Sequence, residues 1–111
     1  MPLPPLNDPL PLDLLGAERL VEAYGAWSAR RGRSTAEVRA VRLALYRLPV
    51  PWRVALEVLY VPGRPPIEAR MRRLGLTPRT LRERQVAALT ALRNLMPLVH
   101  NTRHPDNRGQ R

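Results

Sequence analysis

The sequence has no cysteine, no lysine and no phenylalanine among its 111 residues. Without cysteine the chain cannot form a disulfide, a cysteine-ligated zinc site or a thiol nucleophile. No apolar run approaches the roughly 18 residues that a membrane-spanning helix needs. Prolines interrupt the N-terminus, which therefore lacks the apolar segment of a signal peptide. We expect a soluble, intracellular protein.

Groups that could carry out catalysis are also scarce. Nine acidic residues and two serines, Ser28 and Ser34, offer no pairing of a nucleophile with a base and no glycine loop that would cradle a phosphate. His100 and His104 are four residues apart, but prolines lie on both sides of them and there is no third ligand for a metal. We expect no enzyme activity, no metal ion and no cofactor.

Positive charge is what the sequence has in excess. The net charge is +10, and all 19 basic residues are arginines. Residues 1–29 have four acids against one arginine, whereas residues 30–111 have 18 arginines against five acids. GC-rich coding explains the choice of arginine over lysine. Whatever its origin, such a field attracts nucleic acid or another anionic surface, and guanidinium groups fork onto phosphates and guanine edges.

The distribution of proline and apolar residues predicts one small domain with two tails. Five of the 13 prolines fall in the first eleven residues, so residues 1–12 are expected to be a disordered, proline-rich arm. Residues 98–111 are polar, basic and aperiodic, which indicates a tail. Between them, residues 13–97 show helical periodicity and no alternating strand pattern. We expect an all-α domain of about five helices.

The first three helices are predicted from apolar spacing and from capping signals. The first extends from Leu14 to about Arg31, and the third from Pro51 to about Val61. Ser34 opens the second helix in a capping box with Glu37. The expected inner faces are Leu20, Val21, Tyr24 and Trp27 in the first helix, Val38, Val41, Leu45 and Leu48 in the second, and Trp52, Leu56, Val58 and Leu59 in the third.

Residues 66–96 have the plan of a helix-turn-helix. A short helix from Pro66 to Leu74 is followed by a three-residue junction that opens on Gly75. Thr77 can cap the next helix, which ends near Pro97. The expected inward residues are Ile67, Met71 and Leu74 in the short helix, and Leu81, Ala88, Leu89, Leu92 and Met96 in the long one.

In such a unit the start of the second helix meets base edges in the major groove. Arg79, Arg82 and Glu83 are expected on the outer face there, since arginine pairs with guanine and glutamate accepts from cytosine. Arginines of the preceding helix and turn would hold the phosphate backbone. The expected DNA contacts are Thr77, Arg79, Thr80, Arg82, Glu83, Arg64, Arg72 and Arg73.

The same arginines would also suit the solvated face of an ordinary helical bundle. The run from Arg64 to Arg93 contains eight arginines and two glutamates, and this clustering around one unit favours DNA binding.

The run LGLTPRTLRERQVAALTALRNL resembles the helix-turn-helix of domain 4 of primary sigma factors, which reads a promoter element. With the upstream segment RLVEAYGAWSARRGR included, the chain looks more like the late-gene antiterminators (Q proteins) of lambdoid phages. The shared piece there is Tyr24-Gly25-Ala26-Trp27, and the resemblance covers about residues 18–96. The sequence departs from the sigma pattern at Arg70 and Met71, where aliphatic and small residues are usual. The helix is then either rotated to use Ile67 and Met71 or packed more loosely. The proline-rich arm has no counterpart in the family.

The resemblance implies a cytoplasmic factor in a bacterial host that binds DNA at a late promoter and engages paused RNA polymerase, together with sigma factor. Such a factor would then travel with the enzyme, obstruct the RNA exit channel and suppress termination. Nascent RNA is a further partner on this interpretation, and Arg30, Arg31 and Arg33 could face RNA or polymerase. A solvated helix end explains this trio as well, and we favour that explanation.

Two alternatives keep the same unit but change the function. One is a DNA-binding transcriptional regulator or terminase small subunit that does not ride on polymerase. The other is a protein that imitates sigma domain 4 and binds polymerase without reading DNA.

Overall fold

The computed structural model describes residues 9–30, 33–63 and 66–103, and it describes the side chains in these ranges as far as Met96. This part of the chain contains no strand, so the predicted all-α class is confirmed. A short 3-10 helix, Leu12–Leu14, precedes five α-helices. These are α1 (Leu15–Arg30), α2 (Ala36–Tyr46), α3 (Val50–Tyr60), α4 (Ile67–Leu74) and α5 (Pro78–Arg103).

The start of α2 differs by one residue from the predicted capping box. Thr35, not Ser34, is the N-cap, and its hydroxyl accepts from the backbone N–H of Val38 at 3.0 Å. With the cap at Thr35, Glu37 is too early in the helix to reach back and close a reciprocal box. Ser34 instead accepts from the guanidinium of Arg39 through its carbonyl, at 2.9 Å.

The larger core joins α1, α2, α3 and the later part of α5. The predicted inner face of α2 is confirmed, since all four of its residues are buried. The predicted stripe of α5 is confirmed as well, from Leu81 to Met96. This core consists of Leu10, Leu14, Ala17, Val21, Ala40, Val41, Ala44, Leu45, Leu48, Leu56, Ala88, Leu89, Leu92 and Met96.

The inner face of α1 was predicted only in part. Val21 is buried, and Leu20 and Tyr24 pack against the larger core as expected. The residues that the helix buries fully are Ala17, Val21 and Gly25, whereas the large residues Tyr24 and Trp27 are only half-buried. The cause is a close approach of α1 to the end of α3. A Cβ atom at Gly25 would lie 2.0 Å from the carbonyl oxygen of Tyr60, so only glycine fits there. The helix therefore turns its small residues inward.

A smaller core lies under the start of α5. It joins Ala55 and Val58 of α3, Met71 of α4, Leu76 of the junction and Leu81 of α5. The predicted face of α3 is shifted toward these small residues, because Trp52 and Leu59 are only half-buried. The prediction for Leu74 was wrong, since this side chain is 51% exposed. Because α5 contributes to both cores, its start is held by α3 and α4 and its later turns by α1 and α2.

The predicted N-terminal arm ends earlier than expected, and the predicted C-terminal tail begins later. The helix α5 does not stop near Pro97 but continues to Arg103, although a proline leaves the carbonyl four residues earlier without its usual donor. At the other end, Leu10 is buried in the larger core, and Pro11 precedes the 3-10 helix. Leu10 of the predicted arm is therefore packed, although Leu12 is 84% exposed, and residues 98–103 of the predicted tail are helical. Residues 1–8 and 104–111 lie outside the described residues.

Candidate nucleic-acid interface

The junction between α4 and α5 is a tight turn over residues 75–77. Gly75 has φ 70°, in the left-handed region that glycine tolerates best. Its N–H donates to the carbonyl of Arg72 at 3.2 Å, and the N–H of Leu76 donates to the carbonyl of Met71 at 2.8 Å. Leu76 is buried in the smaller core. The carbonyls of Met71 and Arg72 in the last turn of α4 are thus paired, and the direction of α5 is fixed.

Thr77 caps α5, as predicted. Its Oγ1 accepts from the backbone N–H of Thr80 at 3.1 Å and donates to the hydroxyl of Thr80 at 3.0 Å. Pro78 takes the first helical position, where its missing N–H costs nothing. The N–H of Arg79 belongs to the first turn and has no carbonyl four residues earlier within the helix. A helix start of this kind is suited to an anionic group such as phosphate.

Five of the predicted contact residues are exposed around this helix start, and one of them is the capping residue Thr77. Arg72 and Arg73 lie in the last turn of α4, and Arg79 and Glu83 lie one turn apart on α5. Within the described residues, the guanidinium groups of Arg72, Arg73 and Arg79 make no hydrogen bond or ion pair with the rest of the protein. Positive charge here is therefore available to a ligand. Arg64, which was also predicted to contact DNA, lies outside the described residues.

Arg82 was predicted to be exposed and is not. It is half-buried, donating from Nη1 to Oε1 of Gln85 at 2.8 Å and from Nη2 to the carbonyl oxygen of Pro9 at 3.0 Å. The side chain therefore ties the N-terminal segment to α5. Helical periodicity places Arg82 at the edge of the outer face, but it does not reveal a segment 73 residues away that covers this edge.

A buried polar chain continues from Arg82 into the protein. Gln85 is only 5% exposed, and its Nε2 donates to the hydroxyl of Tyr60 at 2.7 Å. The Tyr60 hydroxyl in turn donates to Oε2 of Glu18 at 2.7 Å. Burial, and next the bond to Glu18, raises the pKa of Tyr60 above its ordinary value. These hydrogen bonds join α5 to α3 and α1. Their one signal in the sequence is a glutamine on the apolar stripe of α5, four residues after Leu81.

The departure from the sigma pattern at Arg70 and Met71 has a structural explanation. Met71 is buried in the smaller core beside the half-buried Ile67, so α4 is rotated to use these two residues. Arg70 is half-buried, and its Nη1 donates to the carbonyl of Val61 at 3.2 Å. Its Nε is buried and has no hydrogen-bond partner in the described part of the chain. Arg70 thus ties α4 to the end of α3 instead of reaching a ligand.

The second predicted group, Arg30, Arg31 and Arg33, is described only in part. Arg30 ends α1 and Arg33 follows it, and both are exposed. Arg31 lies outside the described residues. The exposure of the other two agrees both with a solvated helix end and with a contact surface.

Comparisons with known proteins find no match to this sequence or structure. The chain matches no protein-family model, and no curated protein or solved structure is detectably similar to it. Across the described residues, no helix has the length and apolarity required to cross a membrane. The same residues contain no cluster of three or more metal-ligating side chains.

Proposed function

We propose that α4, the junction and the start of α5 form a helix-turn-helix that binds double-stranded DNA. The observation that carries this proposal is the capped start of α5, surrounded by the exposed Arg72, Arg73 and Arg79, which have no partner among the described residues. Electrostatic attraction to phosphate supplies most of the affinity of such a surface. A short helix and a glycine junction resting on their own small core hold this surface in a fixed geometry.

The residues divide into two roles on this proposal. Arg79 and Glu83 lie on the same exposed side of α5, and we assign them to base edges in the major groove. Arg72 and Arg73 are assigned to phosphates, together with the first-turn amide of Arg79. Arg82 is removed from the base-reading set, because its guanidinium is engaged by Gln85 and Pro9. It positions α5 instead.

Beyond DNA binding, we propose that the protein acts as a phage-type transcription antitermination factor. This step rests on the resemblance to the Q proteins, which covers the larger core as well as the helix-turn-helix. On this proposal the protein binds near a promoter, engages paused RNA polymerase and suppresses termination downstream. RNA polymerase and sigma factor are then its protein partners.

DNA binding is tested by selecting a duplex from a random library and measuring affinity by fluorescence anisotropy. We expect Arg79→Ala to weaken binding to the selected site about tenfold or more, because a bidentate pair with a base is worth about 1–3 kcal/mol. Arg72→Ala and Arg73→Ala should each make the slope of log affinity against log salt concentration shallower by about one. The matched control is Arg47→Ala, which removes the same charge from an exposed position on the C-cap of α2.

Equal losses for Arg79→Ala and Arg47→Ala would show a general charge effect and refute the base-reading role of α5. Antitermination is tested separately, with purified RNA polymerase on a template that carries the selected site and a terminator. We expect increased readthrough with the intact protein and none with Arg79→Ala. A protein that binds the site yet leaves readthrough unchanged would be a simpler DNA-binding regulator.

A further inference from the structure

A second basic surface lies on α1, α2 and α3, apart from the helix-turn-helix. Tyr24 and Trp27 of α1 form a tilted ring pair with centroids 5.9 Å apart. The guanidinium of Arg42 lies 5.9 Å from the centre of the Trp27 ring, and that of Arg53 lies 5.1 Å from the centre of the Tyr46 ring. We call these five residues the aromatic face. It contains the three aromatic residues of the protein that lie outside α3.

Packing accounts for only part of the aromatic face, because Tyr24 packs against the larger core but Tyr46 does not. Tyr46 is 63% exposed and the neighbouring Leu43 is 52% exposed, although both lie on a helix whose other side is fully buried. Two adjoining shallow grooves cover this region. One has a volume of about 420 Å³ and is lined by Tyr24, Trp27, Ser28, Arg42 and Tyr46. The other, of about 310 Å³, is lined by Arg39, Arg42, Leu43 and Tyr46. Each falls within the size range of a small-ligand site.

The charge of the aromatic face is positive. Arg42 and Arg53 stack on rings, and they form no ion pair within the described residues, so their N–H groups remain directed to solvent or to an anion. Arg39 adds charge on α2 beside Arg42. Burial, and next the charge of Glu57, raises the pKa of Tyr24 above its ordinary value. A polyanion with flat, unpaired rings would satisfy both the arginines and the exposed aromatics.

We propose that the aromatic face binds single-stranded RNA. Bases of a single strand have free π-faces that stack on aromatic side chains, and arginines beside them contact the phosphates. The bases of a duplex are already stacked, so a duplex would leave Tyr46 unused. Ser28 and Tyr24 also line the groove, and their hydroxyl groups can donate to and accept from the ribose 2′-hydroxyl, which favours RNA over DNA.

The decisive comparison uses two substitutions of Tyr46 in the full chain. A fluorescein-labelled, unstructured 12-nucleotide RNA is titrated and its anisotropy is measured. Tyr46→Phe keeps the ring, and we expect its affinity to stay within about twofold of the parent. Tyr46→Ala removes the ring and should lower the affinity about fivefold to 150-fold, the usual loss for one stacked base. Because Tyr46 is mostly exposed, neither change should disturb folding, and circular dichroism checks this.

Two further arms locate the site and identify the strand. Arg79→Ala serves as the control on α5 and should leave RNA affinity unchanged. In a Trp52→Phe background, the emission of Trp27 should be quenched as RNA binds. Single-stranded DNA of the same sequence should bind more weakly than the RNA.

Four results would overturn the proposal. The first is that the parent protein does not bind RNA. If the aromatic face then still captured RNA polymerase, it would be a protein-binding site. The second is equal affinity of Tyr46→Ala and the parent. The third is a loss in Arg79→Ala as large as that in Tyr46→Ala, which would place RNA on the helix-turn-helix. The fourth is DNA binding as tight as RNA binding.

Discussion

Replacing Gly25 with alanine tests the close approach of α1 to α3, on which the larger core depends. An added Cβ would lie 2.0 Å from the carbonyl oxygen of Tyr60 and 2.8 Å from its carbonyl carbon. Real Cβ contacts essentially never fall below 3.0 Å. The two backbones must therefore separate by about 1 Å, because the atoms contacted at Tyr60 are backbone and cannot move away as the end of a flexible side chain would.

The size of the effect follows from two opposing terms. Overpacking a core costs about 1–3 kcal/mol, and a contact with backbone belongs at the upper end of that range. Alanine in a helix returns about 1 kcal/mol relative to glycine. We expect Gly25→Ala to lower the free energy of unfolding by about 2 kcal/mol. For a domain of this size, that is a fall in Tm of about 8–16 °C.

The control is Gly16→Ala, in the first turn of the same helix, where an added Cβ meets nothing within 4 Å. It changes the same residue type without the contact, and we expect it to raise the free energy of unfolding by up to about 0.5 kcal/mol. Both variants are compared with the parent by urea and thermal unfolding. If Gly25→Ala proved as stable as Gly16→Ala, the two helices would not approach as described, and the account of the inner face of α1 would be wrong.

Four further outcomes test individual contacts. Tyr60→Phe removes the hydroxyl that satisfies the buried Gln85, and we expect urea unfolding to show a loss of about 1–3 kcal/mol. The raised pKa of Tyr60 means that folding favours its neutral form. Stability should therefore be unaffected below the ordinary tyrosine pKa of 10.0 and should fall above it, less steeply in Tyr60→Phe, as followed by circular dichroism. Thr77→Ala should cost about 1 kcal/mol by loss of the cap, whereas Thr77→Asp should retain most of it in the same measurement. Asp13→Asn breaks an exposed ion pair with Arg93 and should change stability by less than about 1 kcal/mol, so a larger change would indicate a further role for Asp13.

The helices and their order could be predicted because strong local signals mark them. Pro49 precedes α3, Gly75 ends α4 and Thr77 caps α5, and each acts through the backbone of its immediate neighbours. The inner faces of α2 and α5 followed from apolar spacing alone. The face of α1 followed only in part, because its buried positions include the small residues Ala17 and Gly25. Spacing cannot reveal a partner backbone close enough to demand glycine at Gly25.

The candidate site was predictable in outline for the same reason. Arg79 and Glu83 are exposed because they lie opposite Leu81 on one helix. Arg82 was misplaced, since its partner, the carbonyl of Pro9, belongs to a segment that composition alone predicts to be disordered. A long-range contact with a single backbone atom leaves no periodic pattern in the sequence, so local patterns cannot predict it.

The two proposed nucleic-acid surfaces are separable because different parts of the fold support them. The helix-turn-helix rests on the smaller core, and the aromatic face is built on helices of the larger one. The helix α5 and the chain from Arg82 through Gln85 and Tyr60 connect these two parts. A change at an exposed side chain such as Arg79 or Tyr46 should therefore affect one ligand only. A change in the connecting chain should weaken both, since it alters how the two parts are held together.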